Sequence, residues 1–200
     1  MTAMELRAEP LDGAVVRLEP YVPELKEEVR AALDVDAAAW DLFAQSGQGP
    51  HFEGWWSGFL ADMAAGTWIA YAIRRRSDDR VVGTSSFLNP RPERGVVEIG
   101  ATFLHPDVRS GAVNSEAKRL MLAHAFAAGA RRVELLTDAR NARSRAAIAK
   151  LGAVQEGILR RDRVTWTGHV RDSVIFSVTD LDWPAVRDGL DARLQTPSRK

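Results

Sequence analysis

Residues Ala101 to Asn114 read Ala-Thr-Phe-Leu-His-Pro-Asp-Val-Arg-Ser-Gly-Ala-Val-Asn and carry the chain from a strand through a loop into a helix. Gly95 to Leu104 alternates as a strand does, and Pro106 ends it because proline lacks the backbone donor a ladder needs. Downstream, Ser115 to Ala128 predicts a helix with Ala117, Leu120, Met121, Leu122, Ala125 and Phe126 on a broad apolar face. Between them, Arg109-Ser-Gly-Ala112 leaves several backbone N–H groups unpaired beside the positive end of the helix dipole. That geometry seats a phosphate. Ordinary turn chemistry is the competing reading of the same small residues.

Before this stretch, Thr67 to Arg75 and Arg80 to Leu88 read as two strands joined by the polar turn Arg76-Ser-Asp-Asp79. With a second turn over Asn89 to Arg94 they make an antiparallel meander that feeds the Gly95 strand. After it, Arg132 to Thr137 is a β-rich run that should lie parallel to the Gly95 strand, because a helix separates the two. Asn141 caps a short helix that ends at Gly152, and strands follow at Val154 to Trp166 and Val170 to Val178. A closing amphipathic helix spans Trp183 to Leu194, and Gln195 to Lys200 are expected to fray.

The N-terminal third offers a short strand at Val15 to Leu18 and a helix at Glu24 to Leu33 that starts after Pro23. A second short helix is expected over Asp36 to Phe43. A loose connection follows over Gln45 to Pro50, and a helix over Glu53 to Ala65 bears Trp55, Trp56, Phe59, Leu60 and Met63. The expected fold class is therefore α/β (α+β). It is one domain over residues 1–200, with a core over 13–180 and a mixed, mostly antiparallel sheet flanked by helices.

The composition narrows the function classes. The 27 basic residues balance 27 acidic ones, which leaves no electrostatic case for a nucleic-acid or membrane-surface partner. The absence of cysteine removes thiolate catalysis, disulfides and cysteine-ligated metal. Glu5, Arg7 and Glu9 interrupt any leader-like apolar run, and no apolar stretch reaches the ~18 residues of a membrane span, so the expected location is the cytoplasm. His51, His105, His124 and His169 show no ligand spacing, and no metal is expected.

The loop resembles the pyrophosphate-binding loop of the GNAT superfamily of N-acetyltransferases, with Arg109, Ala112 and Asn114 in its three patterned places. Ala112 stands where glycine is usual, and Asn114 where glycine or alanine is usual. The flanking words, Leu104-His-Pro-Asp107 and Glu116-Ala-Lys-Arg-Leu-Met-Leu-Ala-His-Ala-Phe126, look like the branch that includes the ribosomal-protein N-terminal acetyltransferases. A second cluster, Thr137-Asp-Ala-Arg-Asn-Ala-Arg-Ser-Arg-Ala-Ala-Ile-Ala-Lys-Leu-Gly-Ala153, resembles the same family at the expected distance. Together the likeness covers roughly residues 80–180.

The resemblance implies a sheet splayed at its centre, where the pantetheine arm of acetyl-CoA pairs with backbone like an added strand. It implies cofactor binding by Phe103, Leu104, Val108, Arg109, Ser110, Gly111, Ala112, Val113 and Asn114, and by Asn141, Arg143, Ser144 and Lys150 of the second cluster. In the family a serine at the place of Ser144 meets the departing thiolate; the bland alternative is a capping bond to backbone or to Asn141. No tyrosine stands in the cluster to serve as leaving-group acid.

Strand alternation puts Glu98, Gly100, Thr102 and Leu104 on one face, and Val97, Ile99, Ala101 and Phe103 on the other. A carboxylate on a central strand suggests a cleft, so Glu98 is either a base for the incoming ammonium or one side of a salt bridge. Trp55, Trp56 and Phe59 either wall the acceptor site or pack as core.

The expected function is direct acetyl transfer from acetyl-CoA to a primary amine of a small molecule or peptide N-terminus. Two rivals stand beside it: an N-terminal acetyltransferase dedicated to one protein partner, and an acyl-CoA-binding module without turnover. A homodimer and a larger acyl donor are both left open.

Overall fold

The computed structural model describes residues 3–195. Eight strands form one sheet: β1 (Leu11–Asp12), β2 (Val16–Pro20), β3 (Trp68–Arg75), β4 (Arg80–Arg91), β5 (Val96–Leu104), β6 (Arg132–Asp138), β7 (Val154–Val164) and β8 (Val170–Thr179). Their order is β1-β2-β3-β4-β5-β6-β8-β7, and every neighbouring pair is antiparallel except β5 with β6. The helices are α1 (Lys26–Leu33), α2 (Ala37–Trp40), α3 (Phe52–Ala64), α4 (Ala112–Ala127), α5 (Ala142–Leu151) and α6 (Trp183–Gln195). The fraying expected at the C-terminus falls on residues 196–200, outside the described residues.

Two apolar layers sandwich the sheet. On one face α4, α5 and α6 bury Val113, Ala117, Met121, Ile148, Val186 and Leu190 against Val97, Ile99, Val133, Leu135, Val174 and Phe176. On the other face α1, α2 and α3 bury an aromatic group that includes Trp40, Phe52, Trp55, Trp56 and Phe59. This second layer reaches Phe103 on β5 and includes no residue of β6, β7 or β8. The sheet is thus covered by helices on both faces in its first half, and the α1–α3 layer stops at β5.

Helix α4 is tied to the start of β2 by Glu116, whose carboxylate accepts the backbone N–H groups of Ala14, Val15 and Val16 at 2.9, 2.6 and 2.6 Å. Three donors at one buried carboxylate offset its desolvation and fix the helix along its length.

Parallel pairing of β5 with β6 covers only Val96, Val97 and Glu98 against Arg132, Val133 and Glu134. Beyond Glu98 the two strands separate and leave the facing backbone edges of residues 99–104 and 135–138 without a strand partner. The expected splay is in place. Its cause lies on the other side of β5, where three steps from Gly100 to Phe103 match two from Ser86 to Thr84, so β5 carries one extra residue. Ala101, at φ 47°, absorbs it. This is a bulge, which bends the strand and shifts its phase.

The bulge corrects the expected alternation. Before it, Val97 and Ile99 face α4 and Glu98 faces away. After it, Thr102 and Leu104 face α4, while Phe103 turns to the aromatic layer and stacks on Trp40 at 4.7 Å. Glu98 therefore shares a face with Phe103, and not with Thr102 or Leu104. Gly83 lies beside the bulge because a Cβ there would sit 2.3 Å from the Phe103 carbonyl oxygen.

Two boundaries also move. Helix α4 starts at Ala112, three residues earlier than expected, so Ala112, Val113 and Asn114 form its first turn and are not loop. Strand β4 runs on to Arg91, past Leu88, and irregular pairing between Leu88 and Arg91 accommodates Asn89 at φ 49°.

Candidate active site

The C-terminal ends of the parallel strands β5 and β6 point the same way, and each is followed by a helix. The N-termini of α4 and α5 therefore lie at one end of the sheet, flanking the splay. That is where open sheets with crossover helices place their ligands.

At α4 the turn Pro106–Val108 leads through Arg109 and Ser110, at φ 65°, to Gly111 as the residue before the helix. No side chain caps this N-terminus and its first turn holds no acidic residue. The N–H groups of Ala112, Val113 and Asn114 lie in the first turn, where an α-helix offers them no carbonyl partner, beside the positive end of the dipole. Val108 and Val113 are buried in the core, so they can offer a ligand only backbone.

Arg109 does not point freely at this seat. Its guanidinium forms an ion pair with Asp36 of the α1–α2 turn, its Nε donates to the Leu104 carbonyl at 2.9 Å, and it lies 5.4 Å over the Phe103 ring. The guanidinium in turn holds the Asp36 carboxyl below the usual carboxylate range.

At α5, Asn141 is the cap: its side-chain oxygen accepts the backbone N–H of Ser144 at 2.9 Å. Asn141 and Arg143, together with Asp36, Ala39 and Arg140, line a cleft of about 300 Å³ between α2 and the β6–α5 turn. Lys150 is not brought there. It lies in the last turn of α5, seven residues and so about 10 Å of helix beyond Arg143. A larger cleft of about 470 Å³ opens between residues 4–8 and the start of β3, and contains none of the predicted site residues.

Glu98 is only 8% exposed, and burial raises its pKa. Arg163, Arg171 and Asn89 oppose the rise, while Glu134 adds to it. Among the described residues no arginine closes an ion pair with Glu98, so the salt-bridge alternative is not formed. On the same face, Ser86 sits opposite Gly100 with its hydroxyl fully buried and without a hydrogen-bond partner. Next to it Thr84 meets the Tyr21 hydroxyl at 2.6 Å. The tip of the β7–β8 hairpin crosses above this face, where the Trp166 indole donates to the Trp40 carbonyl at 2.9 Å and stacks near His51.

Trp55, Trp56 and Phe59 correct the expectation that they wall an acceptor site. They are 6%, 4% and 2% exposed, inside the aromatic layer, and Trp56 stacks on Tyr21 at 4.7 Å. The aromatic surplus of α3 is core packing.

Three groups escaped the sequence reading. Lys118 is buried on α4 and donates to Ser85 and Thr102 at 2.8 and 2.6 Å, bridging β4 to the bulged part of β5. Burial pushes its pKa down to about 7. Asp36 gave no signal, because its role depends on Arg109, distant in sequence. Ser86 lay unremarked in an ordinary strand.

The architecture and the uncapped seat beside a splayed parallel pair agree with the sequence match. Residues 16–154 match the acetyltransferase (GNAT) domain, and the chain belongs to that family. It is an acyltransferase. A GCN5-related N-acetyltransferase from Brucella melitensis superposes with a TM-score of 0.87 at 28% identity, covering 97% of this chain and 89% of that one. A T. thermophilus protein, named as an acetyltransferase from its structure, is 33% identical over 96% of this chain and all of its own length, with a TM-score of 0.86. Mycobacterium smegmatis RimJ, solved with CoA-disulfide, shares the fold at a TM-score of 0.77 and 22% identity, over 96% and 97% of the two chains. No curated protein matches the sequence. Among the described residues no helix is long and apolar enough to cross a membrane, and no group of three His, Asp or Glu side chains is placed to hold a metal ion.

Proposed function

We propose that the chain transfers an acetyl group from acetyl-CoA directly to a primary amine. The observation that carries this reading is the pairing of an uncapped, acid-free N-terminus of α4 with strand edges that separate after Glu98. The first suits a pyrophosphate and the second gives an extended pantetheine arm backbone to pair with.

In the transfer, the amine nitrogen forms a bond to the acetyl carbon and the carbon–sulfur bond breaks, releasing coenzyme A as a thiolate. Glu98, directly or through water, takes the proton the ammonium must lose before attack. Its raised pKa makes it a stronger base than an exposed carboxylate. Backbone N–H groups along the open edge of β5 near Phe103 and Leu104 polarise the thioester carbonyl, and Ser144 donates a hydrogen bond to the sulfur as charge grows there. A serine hydroxyl is too weak an acid to protonate the thiolate fully.

The test is coenzyme A release from acetyl-CoA with a panel of free amines and of peptides with unblocked N-termini. Turnover with small amines supports a small-molecule enzyme, and turnover with peptides alone supports a dedicated N-terminal acetyltransferase. Tight acetyl-CoA binding with no turnover on either set returns the chain to a binding module.

A further inference from the structure

Arg171 lies on β8, on the face of the sheet opposite α4–α6. Val174, Phe176 and Val178 point into the α4–α6 core, so Arg171, Ser173 and Ser177 point the other way, toward the side on which Glu98 projects. Arg171 is 6% exposed, its Nε has no hydrogen-bond partner, and no ion pair closes on it among the described residues. A buried guanidinium left this way is costly, and its fixed fork of donors is shaped for a carboxylate.

The other charges on this face are matched. Asp138 is bound by Arg140 at 2.8 Å. Asp162 is bound by Arg163 at 2.7 Å and by the Ser173 hydroxyl at 2.7 Å. Glu156 is taken by Arg132 and by Ser177, and Glu134 by Arg91 and Arg132. Glu98 and Arg171 alone lack a directly bonded counter-charge on this face among the described residues, and each lies within electrostatic reach of the other.

We propose that Arg171 is a specificity-determining residue that binds a carboxylate carried by the acceptor, so that the acceptor is an amine with a carboxylate nearby. This rests on the amine-acetylation reading above. Glu98 receives the ammonium end and Arg171 the carboxylate end, so a zwitterion supplies each unmatched charge with its opposite. The buried Ser86 hydroxyl, on the Glu98 side of the face, is a further donor or acceptor for the same molecule. A single negative charge fits better than the double charge of a phosphate monoester, because Asp138 and Asp162 also lie within electrostatic reach of Arg171 and would repel a dianion. The product is the N-acetylated acid, and Arg171 takes no part in the proton or acyl movements.

The experiment compares kcat/KM for free α- and ω-amino acids with that for the matching amides, and for peptides with or without an acidic residue next to the free N-terminus. The expected result is a preference for the carboxylate-bearing partner of about 10-fold or more, because a buried site that hydrogen-bonds a group rejects the analogue lacking it. Preference for the free amino acids identifies the source as a small molecule, and preference within the peptides as an acidic side chain. Arg171→Gln should collapse the ratio toward one, and Arg171→Lys should keep part of it, which a merely structural arginine would not do. Should Arg171→Gln fail to fold, the ratio in the unaltered protein decides alone. Amides accepted as well as acids overturn this inference and leave amine acetylation standing. Turnover with none of these compounds or with simple alkylamines overturns the acetylation reading, and this inference with it.

Discussion

The side-chain oxygen of Asn141 holds the backbone N–H of Ser144 at 2.9 Å, which assigns the capping duty to the asparagine and leaves the serine hydroxyl free of that task. The two residues should then fail differently. Ser144→Ala should lower kcat by about 10–1000-fold with little change in acetyl-CoA affinity, because it removes a bond that strengthens only as sulfur gains charge. Asn141→Ala should cost about 0.5–2 kcal/mol of stability through the lost cap. Steady-state kinetics beside thermal melts separate the two, and full activity in Ser144→Ala would leave the thiolate to solvent.

Glu98 should show a trade between stability and rate. Its folded pKa is raised above the ordinary carboxylate value, chiefly by burial, so ionisation works against the folded state. The contribution is harmless below the unfolded pKa of about 4.3 and becomes destabilising as pH climbs from there through the raised folded value. Glu98→Gln should therefore raise the melting temperature at neutral pH, with the gain shrinking as pH falls toward about 4. The same variant should flatten the rise of rate with pH. A variant less stable than its parent at neutral pH would contradict this account of Glu98.

Gly111 precedes α4 with φ −96° and ψ −168°, a conformation open to any residue, and a Cβ there would meet nothing closer than the Val108 carbonyl at 3.6 Å. Gly111→Asp should supply the missing cap and stabilise the helix by a few tenths of a kcal/mol. It should also place a negative charge at the phosphate seat. The expected outcome is a higher melting temperature with acetyl-CoA affinity reduced at least about tenfold, read by calorimetry. Unchanged affinity would put the pyrophosphate elsewhere.

Lys118 is the reverse of Glu98. Its pKa falls from 10.5 to about 7 on folding because burial disfavours the ammonium. The penalty is complete below about pH 7 and relaxes as pH rises toward the unfolded value, so the protein should gain stability between those limits. Lys118→Met should abolish that gain, and denaturant titrations from about pH 7 to about pH 10 would show it. A parallel pH dependence in both proteins would mean that the amine is not desolvated.

Periodicity carried the fold a long way. The meander, the parallel return at Arg132 and the Asn141 cap are local patterns, and each strand or helix near them formed within a few residues of its expected limits. The face assignment of β5 was beyond it, because a bulge adds one residue without any marker in the sequence: Ala101 is an ordinary strand residue held at φ 47° by what it pairs with. Trp55, Trp56 and Phe59 misled for a related reason. An aromatic cluster on a helix signals burial, and only the packing of Tyr21 and Phe52 against it tells core from pocket. Lys118 and Arg171 read as solvated charges until the sheet buries them.

The ion pair of Arg109 with Asp36 changes what ionic strength should do to cofactor binding. An exposed arginine at the mouth of a phosphate site draws its ligand through a long-range field, which salt shortens to roughly 8 Å at 0.15 M. Here that cation is already neutralised by Asp36 and half-buried against Phe103. The pull on a pyrophosphate falls instead to oriented N–H dipoles in the first turn of α4, which act at hydrogen-bonding distance and have no counterions to shed. Association should then be slow to steer and indifferent to added salt, whereas removing Asp36 would free the guanidinium and hand the site a salt-sensitive attraction it does not now possess.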